Sequence, residues 1–351
     1  MITKFLEIAK SLIRIFLEIE HQNRLRRQDL AILKSVENDL GKISSEEKLT
    51  CDDYARKIFG IVKYAPWLYV YTKNQGEFEP GWIPDNYYGA FVLPKIKSEY
   101  GKISSFKSLK HFILKSDQLN DSVTRINGQF FTPNLSWVDP ADANKILFEF
   151  SSQVVFKADN SLQGLGVHLI EMKTFDLEEI SKLPNGVFQP YIQQHTILSA
   201  FNPESVATLR ITSTSHMGRV NIRGAYLRLV RIGESHIKSA SAKKIPVDTL
   251  TGCLGTVGFT TKLERLLHHP DSKVAFSGTV LPGLDSSIKY VQELHAKVPF
   301  IGCVGWDLTI DRECKIWLLE WNGEHNDIKF MEATQGPMFA DLEWESFSAN
   351  V

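Results

Sequence analysis

The stretch CVGWDLTIDRECKIWLLEWN, residues 303–322, decides the fold. Two apolar runs flank the polar residues 311–314, a pattern that predicts a β-hairpin. Side chains alternate along a strand, so Glu320 and Asn322 share one face whatever the pairing. The other face of the second strand carries apolar residues that we expect in the core: Trp317, Leu319 and Trp321.

The pairing of this hairpin decides which polar side chains meet. A four-residue loop places Asp307 opposite Leu318 and diagonal to Glu320. Asp307, Glu320 and Asn322 then lie on one face, and three oxygen-bearing side chains suit a hard cation such as magnesium. Two carboxylates this close repel each other unless a metal or a proton compensates. The alternative is a solvent-exposed polar face, and a one-residue change in the loop would turn Asp307 to the wrong side.

A lysine and a glycine-bearing loop follow an earlier apolar strand, in VVFKADNSLQGLGV, residues 154–167. Glycine lets backbone N–H groups approach phosphate oxygens, and Lys157 would add a point charge. The segment is not a Walker A loop, because no G-K-[ST] follows and no helix opens there. It is not a dinucleotide fingerprint either, because the third glycine is missing. An ordinary hairpin with a glycine turn is the alternative.

Two further strands carry candidate binding groups. In SVATLRIT, residues 205–212, Arg210 alternates onto the polar face. An arginine that faces a cleft can clamp a phosphate or a carboxylate, and a surface salt bridge is the equal alternative. In FQPYIQQH, residues 188–195, an apolar strand runs into polar residues and could present backbone groups to an adenine edge. Without context, this second segment is only a strand.

Composition excludes several classes of protein. The 351 residues include 40 basic and 41 acidic side chains, a balance that argues against nucleic acid as the main partner. The four cysteines are scattered without a C-x-x-C pair, so we expect neither a disulfide scaffold nor a thiolate zinc site. No apolar stretch reaches the roughly 20 residues of a membrane span. These features predict a cytoplasmic protein.

The chain divides by pattern into three regions. We expect a helical segment over residues 1–50, a substrate-side region over 51–150, and a nucleotide- and metal-binding region over 151–351. Apolar residues recur at helical spacing in residues 1–45, which favours a core-packed helix. The alternative is a membrane-surface or partner-binding helix that would make the protein peripheral to the inner membrane.

Elements of both kinds, with antiparallel hairpins, predict an α+β fold. An Asn127–Gly128 turn predicts a hairpin, and Asp139 followed by Pro140 predicts the start of a helix. Residues 233–280 read as irregular.

In their order and spacing, these segments resemble the ATP-grasp superfamily, and in particular its sugar-transfer-associated branch. The resemblance covers about residues 80–335. It is carried by PGWIPDNYY (80–88), RINGQFF (125–131), the loop at 157–166, FQPYIQQH (188–195), SVATLR (205–210), His269–Pro282 with its internal Gly278, and the GWD motif (305–307) that leads to Glu320 and Asn322.

The resemblance implies two α+β subdomains that clasp ATP, with an added N-terminal helical segment. It also implies a role for each candidate residue. Lys157 would hold the ATP phosphates, and the loop with Ser161, Gly164, Leu165 and Gly166 would close over them; the adenine hinge would consist of Gln189, Tyr191 and Ile192. One or two magnesium ions would be bound by Asp307, Glu320 and Asn322, and Arg210 would stabilise the transferred phosphoryl group. Such proteins usually carry an earlier ATP-binding lysine as well, and Lys107 and Lys110 are both candidates.

Two departures from the branch pattern concern the substrate. The branch often has an acid at the hinge, where this chain has Gln189. It also often has a D-N…G-G stretch where residues 237–244 read IKSASAKK. The lysines of this stretch could attract an acidic substrate such as a uronic acid or a phosphorylated carrier, or could form a solvated basic loop: Lys238, Lys243 and Lys244.

The activity that the resemblance implies is an amide-forming ligase of surface-polysaccharide biosynthesis. A carboxylate attacks the γ-phosphate of ATP, and the acyl phosphate then meets an amine. The partners would be a small-molecule or glycan carboxylate and an amine, and no nucleic acid. One alternative is a kinase of the same fold that phosphorylates a sugar. Another is a non-catalytic scaffold that organises glycosyltransferases.

Overall fold

The computed structural model describes residues 27–161, 164–234, 236–237 and 240–350, without the side chains of residues 349 and 350. They form two compact units. The first takes the described residues of Met1–Val92, Lys262–Glu264 and Glu332–Val351, and the second those of Leu93–Thr261 and Arg265–Met331.

Most of the predicted N-terminal helix, residues 1–26, lies outside the described residues. In the part of the chain that the structure does describe, no helix is both long enough and apolar enough to cross a membrane.

The first unit is helical. Its helices are α1 (27–40), α2 (Ser45–Phe59), α3 (Ala65–Gln75) and α4 (Asp85–Tyr87), with a π-helical turn at Tyr88–Val92 and 3-10 turns at Val62–Tyr64, Ala340–Leu342 and Trp344–Asn350. Helix α2 begins with a capping box, because the Ser44 hydroxyl accepts from the Glu47 N–H while the Glu47 carboxylate accepts from the Ser44 N–H. The core of this unit is aromatic, with Tyr71, Trp82 and Tyr87 fully buried.

The second unit contains both sheets. Its helices are α5 (Leu93–Lys97), α6 (Lys110–Leu114), α7 (Pro140–Leu147), α8 (Leu177–Lys182), α9 (Thr196–Phe201) and α10 (Leu284–Ala296), with 3-10 turns at Ser98–Ser105, Lys107–Leu109 and Met172–Thr174. Helix α11 (Lys329–Gln335) begins at the end of this unit.

The first sheet has six antiparallel strands in the order β3-β2-β1-β6-β4-β5. They are β1 (Val123–Ile126), β2 (Gln129–Phe131), β3 (Trp137–Val138), β4 (Gln153–Ala158), β5 (Val167–Glu171) and β6 (Gly186–Pro190). Asn127 and Gly128 have φ values of 51° and 82°, as the predicted hairpin turn requires. Asp139 caps α7 by accepting from Ala141 N, which confirms the predicted helix start. The sheet joins strands on both sides of residue 150, the predicted boundary.

The second sheet has seven antiparallel strands in the order β11-β10-β9-β8-β7-β12-β13. They are β7 (Thr208–His216), β8 (Arg219–Leu229), β9 (Lys243–Val247), β10 (Gly258–Phe259), β11 (Arg265–Leu266), β12 (Cys303–Ile310) and β13 (Ile316–Asn322). One face is apolar and packs against α10 through a cluster that includes Ile211, Leu227 and Trp306.

The region predicted to be irregular contributes β9, β10 and β11. These strands are short, and β9 carries Pro246, which disfavours a strand by its own propensity. The ladder with β8 supplies the hydrogen bonds that stabilise β9, so the prediction from local pattern was wrong here.

The register of the last hairpin differs from the predicted one. Asp307 pairs with Glu320 and not with Leu318, and Leu308 pairs with Leu318. Leu319 is therefore an extra residue on β13, a β-bulge. The bulge places the two carboxylates directly opposite each other on one face of the sheet.

The bulge also changes the core assignment on β13. Ile316 and Leu318 lie in the core, and so does Trp321. The other residues expected there are only partly buried: Trp317 and Leu319. The Trp317 indole N–H donates to Asp311 Oδ2 at 2.7 Å instead. The expectation that Trp317 and Leu319 lie in the core was wrong, because a bulge breaks the simple alternation of faces.

Candidate functional site

A line of polar side chains crosses the second sheet on the face opposite its apolar core. Glu320 on β13, Asp307 on β12, Arg210 on β7 and Tyr226 on β8 are direct neighbours across successive strands. Residues directly opposite on paired strands share a face and lie in contact distance. The strands therefore bring together four side chains, although Arg210 and Glu320 are more than 100 residues apart in the sequence.

Asp307 and Arg210 form a buried two-bond pair. Arg210 Nε donates to Asp307 Oδ1 at 2.5 Å and Nη2 donates to Oδ2 at 2.8 Å. The side chains are 9% and 8% exposed, and Arg228 Nη1 lies 3.4 Å from Asp307 Oδ2. Burial raises the pKa of Asp307, but the charges of Arg210 and Arg228 outweigh this effect and hold its pKa below the ordinary value. Asp307 is thus an ionised partner of arginine.

The close packing around Gly305 explains why the GWD motif begins with glycine. A Cβ at this position would lie 2.1 Å from Asn326 Oδ1 and 2.7 Å from Arg210 Nη1. Arg210 Nη1 donates to Asn326 Oδ1 at 3.2 Å across this space. Any larger residue would displace the guanidinium from its position between Asn326 and Asp307.

Glu320 and Asn322 are held more loosely. The Glu320 side chain is 31% exposed, and its Oε1 lies 3.4 Å from Lys107 Nζ. Asn322 Nδ2 lies 3.4 Å from both Asp307 Oδ2 and the Gly305 carbonyl oxygen. These contacts are long, so Glu320 and Asn322 can leave them for another partner with only a small loss of interaction energy.

Basic side chains compensate for the two facing carboxylates. Asp307 is bound by Arg210, and Glu320 lies beside Lys107. The expectation that only a metal or a proton could offset their repulsion was therefore wrong. Within the described residues, no group of three or more His, Cys, Asp or Glu side chains is arranged to hold a metal ion.

The donor set nevertheless fits magnesium in part. Glu320 and Asn322 offer a carboxylate and an amide oxygen from one face of β13, two residues apart. Magnesium is commonly held by one or two protein oxygens, with waters and substrate phosphates completing the shell. Asp307 could join only if its bonds to Arg210 opened, so its predicted role as a ligand stays a prediction.

Three lysines contact β13: Lys157 of β4, Lys107 of the 3-10 turn at Lys107–Leu109, and Lys110 of α6. Lys157 Nζ donates to the Leu319 carbonyl oxygen at 3.2 Å, and Lys110 Nζ donates to the Leu318 carbonyl oxygen at 3.2 Å. Lys107 Nζ lies beside Glu320, as described above. The bulged strand that carries Glu320 is therefore surrounded by ammonium groups.

Lys157 has an unusually low pKa for a lysine. Burial lowers its pKa to about 8, and the charges of Lys110 and Lys107 add to the decrease. Glu320 and Asp121 act in the opposite direction. An anion bound here would restore the ordinary pKa, because it favours the protonated form.

The predicted glycine loop lies next to Lys107. Lys107 Nζ donates to the Ser161 carbonyl oxygen at 2.7 Å and to Ser161 Oγ at 3.2 Å. Gly164 and Gly166 have φ values of 83° and 71°, which side chains rarely adopt. Leu165 between them is 69% exposed, and residues 162–163 lie outside the described part of the chain.

The predicted hinge begins within β6, at Gln189, and continues past its end to Tyr191 and Ile192. Gln189 is 2% exposed, and its Nε2 donates to Asp121 Oδ1 at 2.8 Å. Tyr191 N donates to the Gln153 carbonyl oxygen at 2.9 Å, and burial raises the pKa of the Tyr191 hydroxyl. Ile192 is 8% exposed. These residues line the end of the first sheet, and their predicted contact with adenine stays a prediction.

Asp121 is a site residue that the sequence analysis missed. Its side chain is 1% exposed, and Oδ1 lies 2.9 Å from Lys110 Nζ. Its buried Oδ2 has no hydrogen-bond partner among the described residues. Asp121 lies in a connection before β1 and has no local motif. Its position beside Lys110 and Gln189 depends on contacts between distant segments.

Arg228 was also missed, although a signal exists. It stands alone as a cation in the apolar run AYLRLV, residues 225–230. A charged residue within a strand of this kind is rarely buried without a partner. The side chain is 12% exposed and lies beside Asp307.

Comparisons with known proteins bear on the family. A model of the sugar-transfer associated ATP-grasp family matches residues 139–342, more than half of the chain. No curated protein matches the sequence.

Solved structures that resemble the chain include ligases and a synthetase. One is the ATP-grasp ligase PsnB complexed with a minimal precursor, at 12% identity and a TM-score of 0.41, covering 71% of this chain and 62% of that one. Another is N5-carboxyaminoimidazole synthetase from Staphylococcus aureus, at 13% identity and a TM-score of 0.41, covering 70% and 53%. A third is an L-amino acid ligase from Bacillus licheniformis, at 12% identity and a TM-score of 0.34, covering 64% and 42%.

The chain spans about half the length of these solved structures. The family match covers the glycine loop, the hinge and both strands of the last hairpin. The predicted α+β ATP-grasp fold is confirmed, and the chain belongs to the sugar-transfer associated ATP-grasp family.

Proposed function

We propose that this protein is an ATP- and magnesium-dependent ligase that joins a carboxylate to an amine through an acyl phosphate, with a sugar carboxylate of surface-polysaccharide biosynthesis as the acceptor. One observation carries the proposal: Lys157 of the first sheet donates to the backbone of Leu319, beside Glu320 of the second sheet. The lysine predicted to bind phosphate and the carboxylate hairpin thus lie together, and this proximity supports an ATP site.

The residues divide between the nucleotide and the reacting group. Lys157 and Lys107 would bind phosphate oxygens, and the loop at Gly164–Gly166 would cover them. Lys107 suits the earlier lysine better than Lys110, because it contacts both the glycine loop and Glu320. Lys110 is 2% exposed and paired with Asp121, so it serves to position that carboxylate.

Glu320 and Asn322 would hold magnesium, and Gln189, Tyr191 and Ile192 would border the base. When bound, ATP supplies the phosphoryl group that activates the carboxylate, and magnesium offsets the phosphate charge. Arg210 is fixed by Asp307 and Asn326, so its guanidinium meets developing negative charge without reorganising. No side chain has to act as a covalent nucleophile.

Thermal shift and product analysis test the proposal. We expect MgATP to raise the melting temperature, and we expect a sugar acid together with an amine to release ADP and inorganic phosphate in equal amounts. Release of ADP without phosphate would identify a kinase. MgATP binding without any acceptor-dependent turnover would favour the non-catalytic scaffold. If MgATP caused no shift at all, the nucleotide site would be excluded.

A further inference from the structure

A buried chain of hydrogen bonds with a fixed direction lies at the hinge end of the first sheet. Lys110 Nζ lies 2.9 Å from Asp121 Oδ1, and Gln189 Nε2 donates to the same oxygen at 2.8 Å. The side chains of Lys110 and Asp121 are 2% and 1% exposed, and Gln189 is 2% exposed. An ammonium group can only donate and a carboxylate can only accept. The Gln189 amide therefore turns its NH2 group toward Asp121 and its oxygen away from it.

Two acceptor oxygens of this chain stay open. Within the described residues, no group donates a hydrogen bond to the Gln189 amide oxygen. Asp121 Oδ2 is buried and also has no hydrogen-bond partner there. Buried acceptors without a donor are rare in folded proteins, because each loses its hydration without a replacement. The two oxygens indicate a ligand that donates.

The backbone acceptors beside Gln189 are already engaged. The Phe188 carbonyl oxygen accepts from Ser122 N at 2.9 Å and from Ser122 Oγ at 3.1 Å. The Pro190 carbonyl oxygen accepts from Asn120 Nδ2 at 2.6 Å. The Gln189 side chain, and not these two carbonyl groups, therefore offers the free acceptor at this end of β6.

Gln189 lies on the same face of the sheet as Lys157. Gln189 pairs with Val155 on β4, and Lys157 is two residues further along that strand. Phe188 belongs to the core on the opposite face. Val155 pairs in turn with Leu169, which is 45% exposed. A flat base that packs on Val155 and Leu169 would direct its edge toward Gln189 and its phosphates toward Lys157.

The lysines of residues 237–244 give no comparable indication of a ligand. Lys238 lies outside the described residues, and Lys244 lies 3.8 Å from the counter-charge of Asp327. The predicted attraction of this stretch for an acidic substrate stays a prediction.

We propose that Asp121 and Gln189, which we call the selector pair, choose a base that carries an amino group at this edge, as adenine does at ring position 6. This inference rests on the proposed function and adds to it the residues that distinguish one base from another. Asp121 positions the amide, and the Gln189 oxygen accepts from the base amino group. A base with an oxygen at the same position would face the amide oxygen with a second acceptor and would lose the hydrogen bond.

The test compares the affinities of MgADP and MgIDP for the full chain by isothermal titration calorimetry. The two nucleotides share the ribose and both phosphates, and hypoxanthine carries an oxygen where adenine carries the amino group. We expect the wild type to bind MgADP more tightly than MgIDP by about 10-fold or more. In Asp121→Asn the new amide can donate to the Gln189 oxygen, so the Gln189 amide can turn over, and the ratio should fall to about twofold or less. Gln189→Met removes the oxygen and should abolish the preference in the same way.

Matched controls change the same groups nearby. Asp117 lies in the same connection as Asp121, Gln193 follows the hinge, and both are exposed. Asp117→Asn and Gln193→Met should therefore keep the wild-type ratio. If Asp121 had only a structural role, its replacement would weaken both nucleotides by the same factor and leave the ratio unchanged. If Asp121→Asn does not fold, Gln189→Met decides.

Each other outcome has a distinct meaning. A wild type that binds both nucleotides equally, or MgIDP more tightly, overturns the selector pair and leaves the proposed function, and the open oxygens would then belong to water. So does a preference for MgADP that survives in both variants. A preference lost only in Gln189→Met would overturn the role of Asp121. A wild type that binds neither nucleotide would overturn the proposed function together with the selector pair.

Discussion

Asp307 and Glu320 face each other across β12 and β13, yet their surroundings differ. Asp307 is 8% exposed and is held by two hydrogen bonds from Arg210. Glu320 is 31% exposed and has Lys107 at 3.4 Å. The first carboxylate is locked in a buried ion pair, whereas the second is open to exchange.

The difference separates positioning from binding. A carboxylate with both oxygens engaged by one guanidinium orients that guanidinium, and Asn326 holds it from the other side. A carboxylate that lies farther from its ammonium partner can bind a metal cation while giving up a weaker ion pair. We therefore infer that Asp307 positions Arg210, whereas Glu320 is the carboxylate that would bind magnesium in the proposed function. Four predictions probe this contrast, beginning with the largest effect.

Asp307→Asn should cost about 3–5 kcal/mol in the free energy of unfolding, because it leaves the buried guanidinium of Arg210 without its counter-charge. Urea denaturation at neutral pH measures this. The double variant Arg210→Met/Asp307→Leu removes both charges and should recover part of the loss, because Arg228 still loses its contact with Asp307. A cost under about 1 kcal/mol for the single variant, in the range of an exposed ion pair, would contradict the locked state of Asp307.

Glu320→Ala should reduce magnesium-dependent turnover by about 100-fold or more, since even residues behind a metal ligand cost 10–100-fold when removed. Its free energy of unfolding should change by about 1 kcal/mol or less, because Glu320 is partly exposed and lies 3.4 Å from Lys107. Glu313→Ala removes an exposed carboxylate from the turn of the same hairpin and should leave turnover intact. Normal turnover in Glu320→Ala would remove this residue from the metal site.

Lys157 should make the free energy of unfolding depend on pH above neutrality. Its pKa is about 8 in the folded protein, against about 10.4 in the unfolded chain, so the unfolded state binds more protons between these values. The free energy of unfolding therefore rises with pH from about 8 to about 10.4. Comparison with Lys157→Met by urea denaturation isolates this contribution, which would then be missing from the variant. Equal slopes in the two proteins would show that Lys157 is not perturbed.

Trp317→Ala should have the smallest effect, about 1 kcal/mol or less, because the side chain is only partly buried. Leu318→Ala should cost about 2–5 kcal/mol, because Leu318 is fully buried in the core. Urea denaturation of both variants tests the bulge that turns Glu320 toward Asp307. If Trp317→Ala cost more than Leu318→Ala, the bulged register would be wrong.

Local patterns predicted a large part of the fold. The Asn127–Gly128 turn and the Asp139 cap act within a few residues, so their sequence signals are sufficient. The alternation of polar and apolar residues also placed Arg210 on a polar strand face. Strand β9 was missed because its stability comes from the ladder with β8 and not from its own propensities.

The site divides in the same way. The charged residues within strands, such as Lys157 and Glu320, stood out in the sequence because they interrupt apolar runs. Asp121 did not, because its contacts with Lys110 and Gln189 join segments that local pattern cannot relate. Arg228 also interrupts an apolar run, so the sequence did contain a signal for it.

The amino-acid sequence alone predicted the last hairpin, the side chains that share a strand face, and the kind of chemistry that these groups support. The folded molecule added the bulge at Leu319, the pairing of Asp307 with Arg210, and the meeting of Lys157 with the hairpin. The reason is physical. Alternation is a property of one strand, whereas register and ion pairing arise between strands that are distant in sequence, where packing and charge choose the partner.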